Sequence, residues 1–224
     1  MLLFRSEAGR LLVTLLAMLP LMLPGVGLGM EPDIIGSAYD LETGEQLYSE
    51  QHFCVETAQN CTVLYRDTEG VLVADKELDY SSSLLAPALE INDYRRDEFV
   101  RLNSSSDPRV VVDAGFDNFV RSRWDTLAGG GSVEFPFLVV GREDPLNMRA
   151  VNSDDADCIA GELCLRVELE SWLLRMVVAP VRLTYDRDSR RLLRFRGISN
   201  IRSPSGKTQQ VDIRYSYPVL AHQP

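Results

Sequence analysis

Tyr39-Asp40-Leu41-Glu42-Thr43-Gly44-Glu45-Gln46-Leu47-Tyr48 is the stretch that decides the fold class. An aromatic residue closes one apolar segment, four turn-forming residues follow, and apolar positions resume. The layout recurs twice. Tyr65-Arg66 precedes Asp67-Thr68-Glu69-Gly70 and then Val71-Leu72-Val73-Ala74. Tyr185-Asp186 precedes Arg187-Asp188-Ser189-Arg190 and then Arg191-Leu192-Leu193-Arg194. Gly, Asp, Ser and Thr at the breaks, with β-branched and aromatic residues on either side, are the chemistry of β-hairpins. We read the three copies as hairpins of one architecture rather than as a ligand motif.

Working outward from these turns, residues 30–80 read as a meander with strands at Ile34–Asp40, Gln46–Glu56, Cys61–Arg66 and Val71–Tyr80. Leu78 and Tyr80 alternate with Glu77 and Asp79, the pattern of a half-buried strand. Further strands are expected within 89–102, at 110–112, 133–140, 146–151, 163–169, 181–186 and 192–196, and at 210–217. The run Ser171–Val178 (SWLLRMVV) is apolar enough for a buried helix or strand, which Pro180 ends. One segment has helical spacing. Phe116, Phe119, Val120, Trp124 and Leu127 share one face, Asp113 stands where an N-cap belongs, and Gly129-Gly130-Gly131 stops the run. The expected fold is mainly β: a curled antiparallel sheet or half-barrel in one domain over 30–217. The single amphipathic helix, over 113–128, covers its mouth or inner face. The tail over 218–224 reads as loose.

The start of the chain reads as a secretory signal over 1–29. Arg5 and Arg10 precede an uncharged run from Leu11 to Gly29, and Gly27 and Gly29 stand at −3 and −1 before Met30. A retained membrane anchor is the alternative, but Pro20, Pro24 and three glycines break the second half of the run. Met30 is not Cys, and the first cysteine is Cys54, so the chain does not read as a lipoprotein. The expected location is the periplasm.

The whole chain carries a formal charge of −10. Such acidity argues against nucleic acid, whose phosphates need a cationic surface. Yet from Arg182 to Arg214 nine basic residues face three acidic ones. Either these strands lie beside acidic ones and complement them, or they form a basic face for an anionic partner such as a lipid headgroup.

Four cysteines fall in two local pairs, Cys54 with Cys61 and Cys158 with Cys164. In an exported chain an even count favours disulfides, and local pairing would contribute about 2 kcal/mol per bridge. A four-cysteine zinc site lacks its C-x-x-C spacing. Catalytic signals are sparse. The histidines are His52, in a predicted strand, and His222, in the tail, and no G-x-S-x-G accompanies either. Gly206-Lys207-Thr208 lacks the first glycine of a phosphate loop, since Ile201 stands there. Asp154, Asp155, Asp157 and Glu162 crowd one loop, but their spacing fails the EF-hand pattern. No residue is assigned a catalytic or metal-ligating role, and no cofactor is expected.

Two resemblances follow. The layout of strands and helix looks like the half-barrel carriers of lipids and lipoproteins in the Gram-negative envelope, without a diagnostic motif. The turns G-x-A-Y-D…G-x-x-x-Y, at Gly36–Tyr48, and L-T-Y-D…L-L-R-F-x-G-x-S-N-I, at Leu183–Ile201, resemble those of exported proteins of Gammaproteobacteria that have no assigned function. The expectation drawn from layout and helix together is a non-enzymatic binding or envelope-accessory protein. It would hold a hydrophobic ligand or lipid-bearing partner at Phe116, Phe119 and Trp124, with peripheral contact to an anionic membrane surface. The alternatives are an exported hydrolase using carboxylates and a structural partner binding through a sheet edge.

Overall fold

The computed structural model describes residues 31–54, 59–153 and 157–218. The segment 1–29 expected to be a signal, His222, Asp154 and Asp155 and the tail beyond Pro218 lie outside them. Thirteen strands among the described residues form one sheet. In chain order they are β1 (Ile34–Asp40), β2 (Gln46–Cys54), β3 (Asn60–Arg66), β4 (Leu72–Asp79), β5 (Ala88–Asp93) and β6 (Glu98–Leu102), and then the short β7 (Val111–Val112). After the helices come β8 (Ser132–Leu138), β9 (Leu146–Asn152), β10 (Glu162–Leu169), β11 (Val181–Asp186), β12 (Leu192–Ile198) and β13 (Gln210–Ser216). The sheet order is β6-β5-β4-β3-β2-β1-β13-β12-β11-β10-β9-β8-β7. Every pairing is antiparallel except β7 with β8. Two meanders are thus joined through β1 and β13, and the curled sheet stays open between its edge strands, β6 and the two-residue β7. The expected mainly β, curled antiparallel architecture is what forms.

The three recurring hairpins share their details. Each first strand carries a register shift, at Ala38/Tyr39, Tyr65/Arg66 and Thr184/Tyr185. Each turn contains one left-handed residue, Gly44, Gly70 or Arg190. In each an aspartate Oδ1 (Asp40, Asp67 or Asp186) accepts backbone N–H groups of its own turn.

The inward faces of the two meanders bury two apolar clusters. One gathers Tyr48, Val63, Tyr65, Leu78, Leu89 and Ile213 from the first meander and β13. The other sets Phe119, Val120, Trp124 and Leu127 against Phe135, Leu163, Leu165 and Tyr185.

Three expectations need correction. The helix over 113–128 is two helices, α1 (Gly115–Ser122) and α2 (Trp124–Ala128), broken at Arg123 with φ −111° and ψ 14°. At the break the Arg123 N–H is shared between the Phe119 and Val120 carbonyls, both at 3.1 Å, and the Ser122 hydroxyl also donates to Phe119 at 2.7 Å. Asp113 is not the cap. Its φ of +43° turns it out of the extended conformation a capping residue needs, and its carboxylate bonds Lys76 instead. Finally, Ser171–Val178 is not buried. It forms one helical turn, α3 (Trp172–Arg175), and leaves Trp172, Met176 and Val177 with 64, 70 and 79 % of their surface exposed.

Candidate functional site

A cleft of about 390 Å³ opens where the sheet fails to close. β7 pairs only with Phe137 and Leu138, so the rest of β8 is a free edge. Pro136 occupies that edge, where a missing N–H does least harm. Leu85, Phe119, Val133 and Phe135 give the cleft an apolar floor. Arg109, Arg123, Glu134 and Glu170 put two charges of each sign on its lining.

The three expected ligand residues divide here. Phe119 lines the cleft, its ring centroid 4.4 Å from that of Phe135. Phe116 lies behind it, half-buried, 5.9 Å from Phe119 and 5.4 Å from Phe135. Trp124 is buried in the second apolar cluster, edge-on to Tyr185 at 5.8 Å, with the Arg190 guanidinium 5.2 Å from its ring. It does not line the cleft.

A second cluster lies inside the first meander, and sequence reasoning missed it. The Lys76 Nζ donates to Asp113 Oδ2 at 2.7 Å, with both side chains nearly sealed from solvent, and Asn200 donates to the other carboxylate oxygen. Burial pushes the Lys76 ammonium down, but the Asp113 charge and hydrogen bond together with Tyr65 and Glu50 outweigh it, so it titrates well above its ordinary value. Burial raises the Asp113 carboxyl, but the Lys76 charge and hydrogen bond outweigh that and hold it below the usual carboxylate value. On the neighbouring strands Tyr215 reaches Glu50 across β1, 3.3 Å from hydroxyl to Oε2, and His52 Nε2 lies 3.2 Å from the same oxygen. Gly36 makes this crossing possible, because a Cβ there would lie 2.9 Å from the Tyr215 ring and 3.2 Å from Glu50. The signal was readable in principle. Lys76 falls in the same alternation as Ala74 and Leu78, and Glu50 in that of Tyr48. The cleft beside Phe119 reaches neither group.

The basic segment 182–214 spans three adjacent strands, β11, β12 and β13. Its charges are answered partly from within and partly from outside. Asp212 accepts from Arg194 at 2.6 Å and Arg214 at 3.2 Å, and Arg196 pairs with Asp157 at 2.8 Å. On β10, Glu168 takes Arg149, Arg166 and Arg175 together, at 2.6, 3.0 and 3.0 Å. Burial raises the Glu168 carboxyl, but the Arg149 hydrogen bond and the nearby guanidinium charges bring it below its ordinary value.

The cysteines pair as expected, Cys54 with Cys61 and Cys158 with Cys164. Cys54 and Cys61 stand directly opposite each other on β2 and β3. Both bridges suit an oxidising, non-cytoplasmic environment. His52 with Cys54 and Cys61, and Glu162 with Cys158 and Cys164, lie close enough to suggest metal sets. Bridged sulfurs are not thiolates, so neither trio can supply cysteine ligands. Of the acidic loop, Asp157 pairs with Arg196, and Glu162 accepts the Ile159 N–H.

No helix among the described residues is long and apolar enough to cross a membrane. Compared with family models, with curated proteins and with solved structures, the chain matches none. The reading of function therefore rests on the chemistry of these sites.

Proposed function

We infer that this is an exported, envelope-accessory binding protein of the periplasm, which holds a hydrophobic ligand without converting it. The carrying observation is the cleft at the open seam of the sheet, with Phe119 and Phe135 in its floor. An apolar concavity with a few charges on its lining is the usual form of a small-ligand site. Its mixed charges suit an amphiphile whose tail lies on the aromatic floor and whose polar head stays near the guanidinium and carboxylate groups. Phe116 supports the floor from behind, and Trp124, on the next helix, is buried in the same apolar cluster as Phe119.

The test is native mass spectrometry of the purified protein together with organic extraction. A co-purifying amphiphile is expected for the wild type. Val133→Trp fills the cleft from a half-buried position and should abolish co-purification while moving the unfolding temperature by only a few degrees. A wild type that carries no amphiphile, and takes none up from detergent-solubilised lipid, overturns the reading. The second reading, a carboxylate-dependent hydrolase, draws on Glu134 and Glu170 in the same cleft. It predicts turnover that Glu134→Gln or Glu170→Gln removes while ligand retention persists.

A further inference from the structure

We propose that His52, Cys54 and Cys61 form a redox-gated zinc site, masked while the bridge is closed and opened to Zn²⁺ when a dithiol partner reduces it. His52 and Cys54 are two residues apart on β2, so their side chains leave the same face of the strand, and Cys61 stands directly opposite Cys54 on β3. One ligand atom from each lies within 4.8 Å of the other two. Tetrahedral zinc, with bonds of about 2.0–2.3 Å, sets its ligand atoms about 3.5–3.8 Å apart, so small side-chain rotations convert one arrangement into the other. Two thiolates and an imidazole are the soft and borderline ligands that favour Zn²⁺ over Mg²⁺ or Ca²⁺. Three protein ligands leave the fourth position to water. His52, with 20 % of its side chain exposed, lets solvent reach the site.

The site does not depend on the bridge for its shape. The β2–β3 ladder runs from Ser49 opposite Arg66 to Cys54 opposite Cys61, and it holds the two sulfurs side by side whether or not they are bonded. Asp33 fixes the end of β2: its N–H donates to the His52 carbonyl at 2.8 Å, and its carboxylate accepts the Cys54 N–H at 2.7 Å. The imidazole is oriented as well. Glu50 Oε2 lies 3.2 Å from His52 Nε2, so with a proton on Nε2 the lone pair rests on Nδ1, the carboxylate–histidine–metal arrangement. Tyr215 donates to the same carboxylate oxygen at 3.3 Å and meets the His52 ring edge-on at 6.1 Å. The trio at Cys158 and Cys164 lacks this frame. Cys158 lies in the loop before β10, and the Glu162 carboxylate already accepts the Ile159 N–H. Reduction would leave Cys158 without a tether, so the proposal is confined to the first pair.

The gating step is thiol–disulfide exchange. A thiolate of the partner dithiol attacks Cys54 Sγ, the more accessible sulfur because Cys61 is buried, and the S–S bond breaks with Cys61 leaving as thiolate. The partner's second thiol then displaces Cys54 and closes the partner's own disulfide. Two electrons pass to this chain, and the two thiol protons of the partner end on Cys54 and Cys61. Zn²⁺ binds both cysteines as thiolates and releases those protons. Reoxidation expels the metal. The balance between bridge and metal is thus set by the dithiol poise around the protein, and the cleft beside Phe119 plays no part in it.

The test uses the full chain, reduced with a phosphine under nitrogen and freed of it by gel filtration. Cobalt(II) is the probe, because thiolate ligation gives it a charge-transfer absorption and tetrahedral geometry intensifies its visible bands. Reduced wild type should bind a single Co²⁺ per chain with both signatures, and Zn²⁺ should displace it. The oxidised protein should bind neither ion, and circular dichroism should show the sheet intact in both states. Cys158→Ser with Cys164→Ser should keep the site, whereas Cys54→Ser with Cys61→Ser should lose it. His52→Ala should weaken Zn²⁺ binding about tenfold or more, and Glu50→Gln about 10–100-fold, the usual effect of removing the group that orients a histidine ligand. Zinc should raise the unfolding temperature of the reduced protein and leave that of the oxidised protein unchanged. The proposal is overturned if the reduced protein binds no cobalt, if the sheet is lost on reduction, or if His52→Ala binds as tightly as wild type. Binding that follows Cys158 and Cys164 instead also overturns it and moves the metal to the loop pair. Equal binding by the oxidised protein overturns the gating, because the bridged sulfurs would then have no part in the site.

Discussion

At the scale of single residues the most consequential feature is the Lys76–Asp113 pair, because both charges sit where water cannot solvate them. Removing one partner from such a pair costs about 3–5 kcal/mol, most of it from the charge left behind. Asp113→Asn should therefore destabilise strongly at pH 7, as measured by denaturant unfolding. The pH dependence carries a sharper test. The folded value of Asp113 is depressed, so its contribution is present above the ordinary carboxyl value of about 3.9 and is lost as pH falls through the lowered value. The folded value of Lys76 is raised, so its contribution is present below about 10.4 and is lost as pH rises through the raised value. Wild-type stability should hold level between those limits as far as this pair is concerned. In Asp113→Asn the orphaned Lys76 instead titrates below its unfolded value, so the variant should regain stability as pH rises toward 10. A variant deficit that stays constant from pH 6 to pH 10 would contradict this account. The pair also marks what a pattern reading loses. The alternation that places Leu78 inside places Lys76 inside too, but its counter-ion lies 37 residues away, where a left-handed Asp113 breaks the expected cap.

At the scale of elements the turns were the most legible, because their chemistry is local. Gly44 and Gly70 supply left-handed backbone where the hairpins need it, and the Asp40, Asp67 and Asp186 side chains close the turns on themselves. The cysteine pairing was legible for the same reason. The helix was legible as an apolar face but not as two pieces, since the break is a change of backbone angle at Arg123 that no residue type there announces. The exposure of Ser171–Val178 was not legible, because composition alone cannot distinguish a buried apolar run from an exposed one; only its neighbours decide, and among the described residues none covers it. The cleft was legible only through Phe119, since its other walls meet by tertiary closure. This division predicts unequal roles for the apolar side chains of α1 and α2. Trp124→Ala removes a side chain 6 % exposed and should cost about 3–5 kcal/mol, with transfer and cavity terms both lost. Phe116→Ala, from a half-buried position beside the cleft, should cost clearly less in the same thermal unfolding experiment. Equal losses would mean that Phe116 is core as fully as Trp124 is.

At the scale of the whole molecule the sheet order departs from chain order at one seam only. β1 lies against β13, with Ile35 opposite Ser216. Elsewhere each long strand pairs with its neighbour in sequence, and the sheet is open between β6 and β7, where the chain runs continuously through 103–110. The natural connectivity therefore makes the β1–β13 pairing wait for nearly the whole domain, a long loop whose closure costs entropy before any contact repays it. A circular permutant tests this directly. A short Gly/Ser linker joins Pro218 to Glu31, and new ends are cut between Asn103 and Ser104. Residues opposite each other in antiparallel strands stand about 5 Å apart, so such a linker spans the junction without strain. In the permutant the order becomes β7 through β13 and then β1 through β6, and every antiparallel partner is adjacent in sequence. Both disulfides stay within their hairpins. The permutant should fold with the same two bridges, as peptide mapping would show, and should refold faster than the parent in stopped-flow experiments because its mean contact separation is shorter. Its stability should fall by no more than the loss of the 103–104 connection implies. Failure to fold would mean that this connection holds the edges of the open seam together, and that the cleft beside Phe119 exists only under that constraint.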